Sequence, residues 1–171
     1  GLWFTDITGI VKNVTIPLHR AHDVIDNGIH FDGSSVEGFA RVAESDMVLK
    51  PDPETFAVFP WDHAEEYSAR MLCNVTTLAG DPFIGDPRTV LQRTLAEAND
   101  LGFTFKIGME LEFFLFKDDQ GERSAGLRPV DGSSYFDVPS DVQQSIIHKM
   151  MACLMQMGIR VDSLHHEIGS G

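Results

Sequence analysis

Leu2-Trp3-Phe4-Thr5-Asp6-Ile7-Thr8-Gly9-Ile10 opens the chain with an alternation and then a turn. Leu2 and Phe4 share one side of a strand, Asp6 to Gly9 supply turn chemistry, and Ile10, Val14 and Ile16 resume the apolar pattern. This predicts a β-hairpin. Pro17 opens a short helical segment in which Ala21, Val24 and Ile25 share a face, and Asn27-Gly28 ends it, because glycine accepts the left-handed conformation past a helix end. A loop follows at Phe31-Asp32-Gly33-Ser34-Ser35, then short strands at 47–49, 56–59 and 69–75, punctuated by Pro51, Pro53 and Pro60. Strand, strand, helix and further strands is the order of a small β-grasp-like α+β unit; the pattern alone also admits other α+β arrangements.

Working outward, Gly80-Asp81-Pro82 and Gly85-Asp86-Pro87 mark a boundary, giving domains at 1–82 and 83–171. Asp86 is suited to cap a helix with Pro87 at its first position. Val90, Leu91, Leu95 and Ala98 line that helix, which ends near Gly102. Residues 103–116 read as a strand with Phe103, Phe105, Ile107, Met109, Leu111 and Phe113 on one face, and 117–134 as loop. Ser140 with Gln143 forms a capping-box pattern. Val142, Ile146, Met150, Cys153, Leu154 and Met157 follow at helical spacing and are expected to pack as core; Gly158 ends the helix. Ile159, Val161 and Ser163 alternate in a last strand that runs into His165-His166-Glu167.

Composition narrows the function. The 171 residues carry 13 Lys+Arg against 26 Asp+Glu, a formal charge of -13, and both sides of Asp86 are acidic. A phosphate-neutralising surface needs a basic excess, so nucleic acid is excluded as a partner. Apolar residues at 43% are enough to bury a core. There is no apolar run long enough to cross a membrane and no leader pattern, and the two cysteines, Cys73 and Cys153, read as reduced thiols of a cytoplasmic protein. The chain starts inside a strand without Met and stops just after a charged cluster, so both ends are expected to be cut from a longer polypeptide.

Three segments carry candidate chemistry. In Gly108-Met109-Glu110-Leu111-Glu112-Phe113, the two glutamates of a strand would project to the same side with Cα atoms about 6.6–6.8 Å apart. Burying two carboxylates together requires a compensating cation, and hard divalent ions prefer carboxylate oxygens. Spacing alone still favours ordinary surface glutamates. His165 and His166 are adjacent, point to opposite faces of a strand and are poor joint ligands of one metal; on its own the triplet reads as a polar strand end. Asp32-Gly33-Ser34-Ser35 reads first as a hydrogen-bonded turn. Neither a phosphate-binding Gly-Lys-Ser/Thr loop nor a Gly-x-Ser-x-Gly nucleophile elbow is present.

Taken together, the segments resemble the N-terminal part of a bacterial-type (type I) glutamine synthetase. The resemblance rests on Phe4 to Gly9, Asn27 to Phe39, Glu44-Ser45-Asp46-Met47, Pro51-Asp52, Phe59-Pro60-Trp61, Gly85-Asp86-Pro87-Arg88, Gly108 to Phe116, Tyr135-Phe136-Asp137 and His165-His166-Glu167, all in family order. It implies a β-grasp-like N-terminal domain followed by the beginning of an α+β catalytic domain, within a homododecamer whose sites lie between subunits. It implies ATP-dependent ligation of ammonia to the γ-carboxylate of L-glutamate through γ-glutamyl phosphate, with Mg²⁺ or Mn²⁺. By position, Glu110 would hold the metal that bridges the ATP phosphates, and Glu112 and Glu167 the metal nearer glutamate. Asp32 would attract ammonium and assist its deprotonation, with Ser35, Tyr135 and Glu167 lining the same pocket; Asp32 and Glu167 would be catalytic. The family's remaining ligands, nucleotide segment and arginines fall beyond Gly171, so the 171 residues alone are expected to be inactive. Two alternatives remain: a relative that ligates glutamate to a larger amine such as a polyamine, against which Asp32 speaks, and a non-catalytic β-grasp interaction module, against which the three glutamates speak.

Overall fold

The computed structural model describes residues 1–36, 46–61, 67–117 and 128–169. Glu37-Gly38-Phe39 and Glu44-Ser45 of the matching stretches lie outside the described residues, as do 118–127 of the expected loop. Two units are distinguished, residues 1–106 and residues 107–171.

The first unit is built on a five-stranded sheet. Strands β1 (Leu2–Thr5) and β2 (Val11–Val14) form the expected antiparallel hairpin, with Leu2 opposite Val14. The turn is held by Asp6, whose Oδ1 accepts from the Thr8 and Ile10 amides at 2.9 Å each and from the Thr8 hydroxyl at 2.7 Å. Lys12 Nζ lies 3.1 Å from its other oxygen. A 3-10 turn at Leu18–Arg20 leads into α1 (Ala21–Asn27), which buries Val24. Gly28 follows with φ 77°, and a Cβ there would come within 2.6 Å of Val48 Cγ1 and 2.8 Å of the Leu49 carbonyl, so only glycine lets the chain turn this close to the sheet.

Strands β3 (Ile29–Asp32), β4 (Asp46–Val58) and β5 (Ala69–Thr77) complete the order β2-β1-β5-β4-β3, with β1 and β5 parallel and the other pairs antiparallel. Period-two alternation places Leu2 and Phe4, Met47 and Leu49, and Met71, Cys73 and Val75 in one core with Val24. Burial pushes the Cys73 thiol up to about 12, and both cysteines are free.

The structure departs from the sequence reading in three places. The strands expected at 47–49 and 56–59 are one strand: Pro51 pairs in the ladder opposite Cys73, and a register shift between Asp52 and Ala57 absorbs Pro53. The Thr55 hydroxyl bridges it, donating to the Asp52 carbonyl at 2.7 Å and accepting from the Leu72 amide at 2.7 Å. Pro51 costs no ladder bond to β3, which pairs only with Asp46–Leu49. Phe31 and Asp32, expected in a loop, end β3, and Asp32 then accepts from the Ser34 amide and hydroxyl at the start of the 3-10 turn Gly33–Ser35. Lastly, the strands expected at 103–116 and 159–163 are not strands. Among the described residues neither has a ladder partner beyond the Phe116–Pro129 bridge, and Phe105, Ile107, Met109 and Leu111 are exposed. Alternation marks a chain ready to pair, and pairing needs a second strand.

Helix α2 (Pro87–Asp100) starts where expected, with Asp86 as N-cap. Asp86 is fully buried and joins helix to sheet: its carboxylate accepts from the Arg88 and Thr89 amides, the Thr89 hydroxyl and, across to β5, the Val75 amide at 3.1 Å. Val90, Leu91 and Leu95 remain exposed. In the second unit α3 (Asp141–Gln156) begins with the predicted capping box; Ile146, Met150, Cys153, Leu154 and Met157 are half-buried and Val142 is exposed, so the expected core stripe is only partly covered. Among the described residues no helix is long and apolar enough to cross a membrane.

Two stability outcomes follow from the joints. Asp86→Ala should lower the unfolding free energy by about 2–4 kcal/mol, since it removes a helix cap and orphans a buried strand amide; an unchanged urea midpoint would contradict this. The Thr8 hydroxyl, opposed by burial and aided by the turn amides and Lys12, holds the Asp6 carboxyl well below the usual carboxylate range. A depressed folded-state value contributes stability above the unfolded value of about 3.9 and loses it as pH falls through the folded one. The urea midpoint should therefore drop in acid, and Asp6→Asn should flatten that drop; parallel pH curves would refute the assignment.

Candidate functional site

The site is built within the second unit. Within Leu164–Glu167 the side chains part: His165 turns to Glu167 and Glu110, and His166 to Asp131. His165 Nδ1 lies 3.2 Å from Glu167 Oε1, and its Nε2 lies 4.0 Å from Glu110 Oε1. One ligand atom from each of Glu110, His165 and Glu167 can be chosen so that all lie within 4.8 Å of one another. Glu110 is well exposed, Glu167 and His165 less so. Tyr135 and Phe136 close on the His165 ring edge-on, with centroids at 5.5 and 4.9 Å.

His166 turns to Asp131, with Nε2 3.3 Å from Oδ1, while its Nδ1 donates to the Glu167 carbonyl at 2.6 Å. Burial opposes charge on this imidazole, but the Glu167 carbonyl and the Asp131 carboxylate outweigh it and raise its pKa above the ordinary histidine value. The two histidines thus diverge as the sequence predicted, and only His165 reaches the acidic pair.

Of the residues singled out from the sequence, Glu110 and Glu167 come together. Glu112 is exposed and stands outside that group. Tyr135 is half-exposed beside His165. Asp32 and Ser35 belong to the first unit, both exposed, at the 3-10 turn after β3. Sequence reasoning missed His165 as a third donor, and it missed Asp131 and Phe136. Asp131 carried only the signature of a local turn; the φ of 61° at Phe136, rare for an aromatic residue, has no sequence signal.

The donor set suits a divalent cation. Two carboxylate oxygens and one imidazole nitrogen are ligands for Mg²⁺- or Mn²⁺-class ions. At about 2.1 Å per bond, neighbouring and opposite ligands of an octahedral ion stand about 3 and 4.2 Å apart; here one ligand atom from each side chain lies within 4.8 Å of the other two.

Comparison with known proteins identifies the family. The glutamine synthetase β-grasp domain matches residues 1–78, and the glutamine synthetase catalytic domain matches residues 84–171. The chain belongs to the glutamine synthetase family. A glutamine synthetase of Halobacterium salinarum is 48% identical over 173 residues, covering 99% of this chain and 38% of its own length. One of Staphylococcus aureus is 46% identical with the same coverage. The chain therefore spans about two fifths of the length of these glutamine synthetases. Among solved structures, a GmaS–ADP complex aligns with a TM-score of 0.75 at 21% identity, over 99% of this chain and 39% of that one. Plasmodium falciparum glutamine synthetase aligns with a TM-score of 0.69 at 19% identity, over the same shares. These structures share the fold, and the sheet with α1 is the family's β-grasp domain.

Proposed function

We propose that the whole protein is a glutamate–ammonia ligase, and that these 171 residues contribute the ammonium side and part of the cation side of its site. The observation that carries the reading is the convergence of Glu110, His165 and Glu167, in a chain of this family. Glu110 would hold one divalent ion, on the ATP side, and Glu112 and Glu167 a second, nearer glutamate, with His165 beside Glu167. When bound, such an ion supplies Lewis-acid stabilisation of charge on transferring phosphoryl oxygens. Glu112 enters this pair on its family position alone.

The chain's own residues do the rest. Ammonium is not a nucleophile until it loses a proton, so its pocket must be anionic and contain a base. Asp32 and Glu167 supply the negative charge, and Asp32 accepts the proton. The Ser34 amide and hydroxyl, at 2.9 and 2.6 Å from Asp32 Oδ1, orient that carboxylate. Ser35 and Tyr135 present hydroxyls that define the pocket. L-Glutamate and ATP are the other substrates; their remaining contacts lie in the part of the relatives' length that this chain does not span. We place the domain boundary at 82/83, the site between subunits of a homododecamer, and the protein in the cytoplasm.

In the whole protein, Glu167→Gln should reduce glutamine formation about 10²-fold or more, as does loss of one transition-state charge stabiliser. Asp32→Asn should raise the KM for ammonium and lower kcat, leaving the KM for ATP nearly unchanged. Equal turnover of a diamine and ammonium would instead favour the amine ligase, and unchanged rates in both variants a non-catalytic module. The purified 171-residue chain should form no glutamine; measurable product would overturn that part of the proposal.

A further inference from the structure

A cleft of about 500 Å³ lies between β5 and α2, within the first unit. That volume falls in the range of small-molecule sites. Alternation along β5 sends Met71, Cys73 and Val75 into the core, so Asn74 and Thr76 stand on the other side of the sheet, where they line the cleft. Thr89 and Arg93 line it from α2. Pro82, which bridges to Thr76, and Ile84 give it an apolar wall.

The deep end holds polar atoms without partners. Thr76 is 8% exposed, and its hydroxyl oxygen is fully enclosed with no hydrogen bond among the described residues. The same holds for Asn74 Oδ1. Leaving such atoms buried and unbonded costs stability, and a ligand that supplies donors removes that cost. The Thr89 hydroxyl donates to Asp86 Oδ2 at 2.8 Å, so its oxygen can offer a ligand only lone pairs. Three uncharged oxygens are therefore ready to accept, and the buried Asp86 carboxylate stands next to one of them. An ammonium group, with three N–H donors and no acceptor, is their complement.

The mouth has the opposite character. Arg93 follows Thr89 at i+4, on the same face of α2 and about 5–6 Å along it. It is exposed and makes no ion pair among the described residues. A free guanidinium is suited to a carboxylate, which it can grip through two N–H groups.

We propose that this cleft binds a free α-amino acid with an apolar side chain. Its ammonium group sits among Asn74 Oδ1, Thr76 Oγ1 and Thr89 Oγ1, its carboxylate meets Arg93, and its side chain rests on Pro82 and Ile84. One carbon joins the two charged groups of such a ligand, so both are reached within a single helical turn. Every residue involved belongs to the first unit, and none takes part in the proposed ligation.

Saturation-transfer NMR on the whole protein with L-valine as the probe tests this. Binding should appear with a Kd of about 0.1–1 mM, as suits a ligand of so few atoms. Isovalerate and isobutylamine, which each lack one charged group, should bind about tenfold or more weakly. Thr76→Val keeps the shape and removes the hydroxyl, and should weaken L-valine binding about tenfold or more. Because that hydroxyl has no partner, the urea midpoint of the variant should hold or rise, whereas a threonine kept for structure would lower it. Arg93→Gln, at an exposed position, should weaken L-valine binding similarly and serves if the first variant does not fold. No L-valine binding at concentrations about tenfold above the expected Kd would overturn the proposal. So would binding that persists undiminished in the folded variants, since the amino acid would then be held elsewhere.

Discussion

Two like charges brought together from distant segments dominate the second unit. Glu110 and Glu167 meet at the His165 ring, an arrangement that repels itself unless positive charge stands between the carboxylates. The neighbouring His166 turns instead to Asp131. Two adjacent histidines therefore serve two different acidic partners.

Aspartate is the other recurring device. Asp6, Asp32, Asp52, Asp86 and Asp131 each accept a backbone amide two residues ahead, and each thereby shapes a turn or a cap. Part of the strongly acidic balance is thus committed to holding the chain's own backbone and calls for no basic partner. Asp86 extends the device furthest, since it caps α2 and also holds the β5 amide of Val75. Asp32 uses it at a loop tip, where the same carboxylate that caps Ser34 is the one assigned to ammonium.

What could be read from the sequence was what local chemistry determines. The Asp6–Gly9 turn, the Gly28 stop, the Asp86-Pro87 start and the Ser140/Gln143 box all appear where turn and cap residues place them. Sheet pairing is non-local, so the continuity of β4 through Pro51 and Pro53 could not be read from a pattern that prolines interrupt; it depends on Thr55 bridging to β5. The alternation of 103–113 was legible, but its pairing was not. The matched relatives carry more than half of their length outside this span. In the site, Glu110 and Glu167 came from the family pattern. His165 entered through geometry, because adjacency in sequence says which residues diverge but not which of them meets a carboxylate from afar.

The central claim is that Glu110, Glu112 and Glu167 hold the divalent cations of the site. A crystal of the whole protein grown with Mn²⁺ and measured at a wavelength where manganese scatters anomalously tests it directly. Anomalous peaks within about 2.0–2.3 Å of carboxylate oxygens of Glu110 and of Glu167 are the expected result. Turnover-competent protein whose manganese peaks all lie away from those two carboxylates would contradict it.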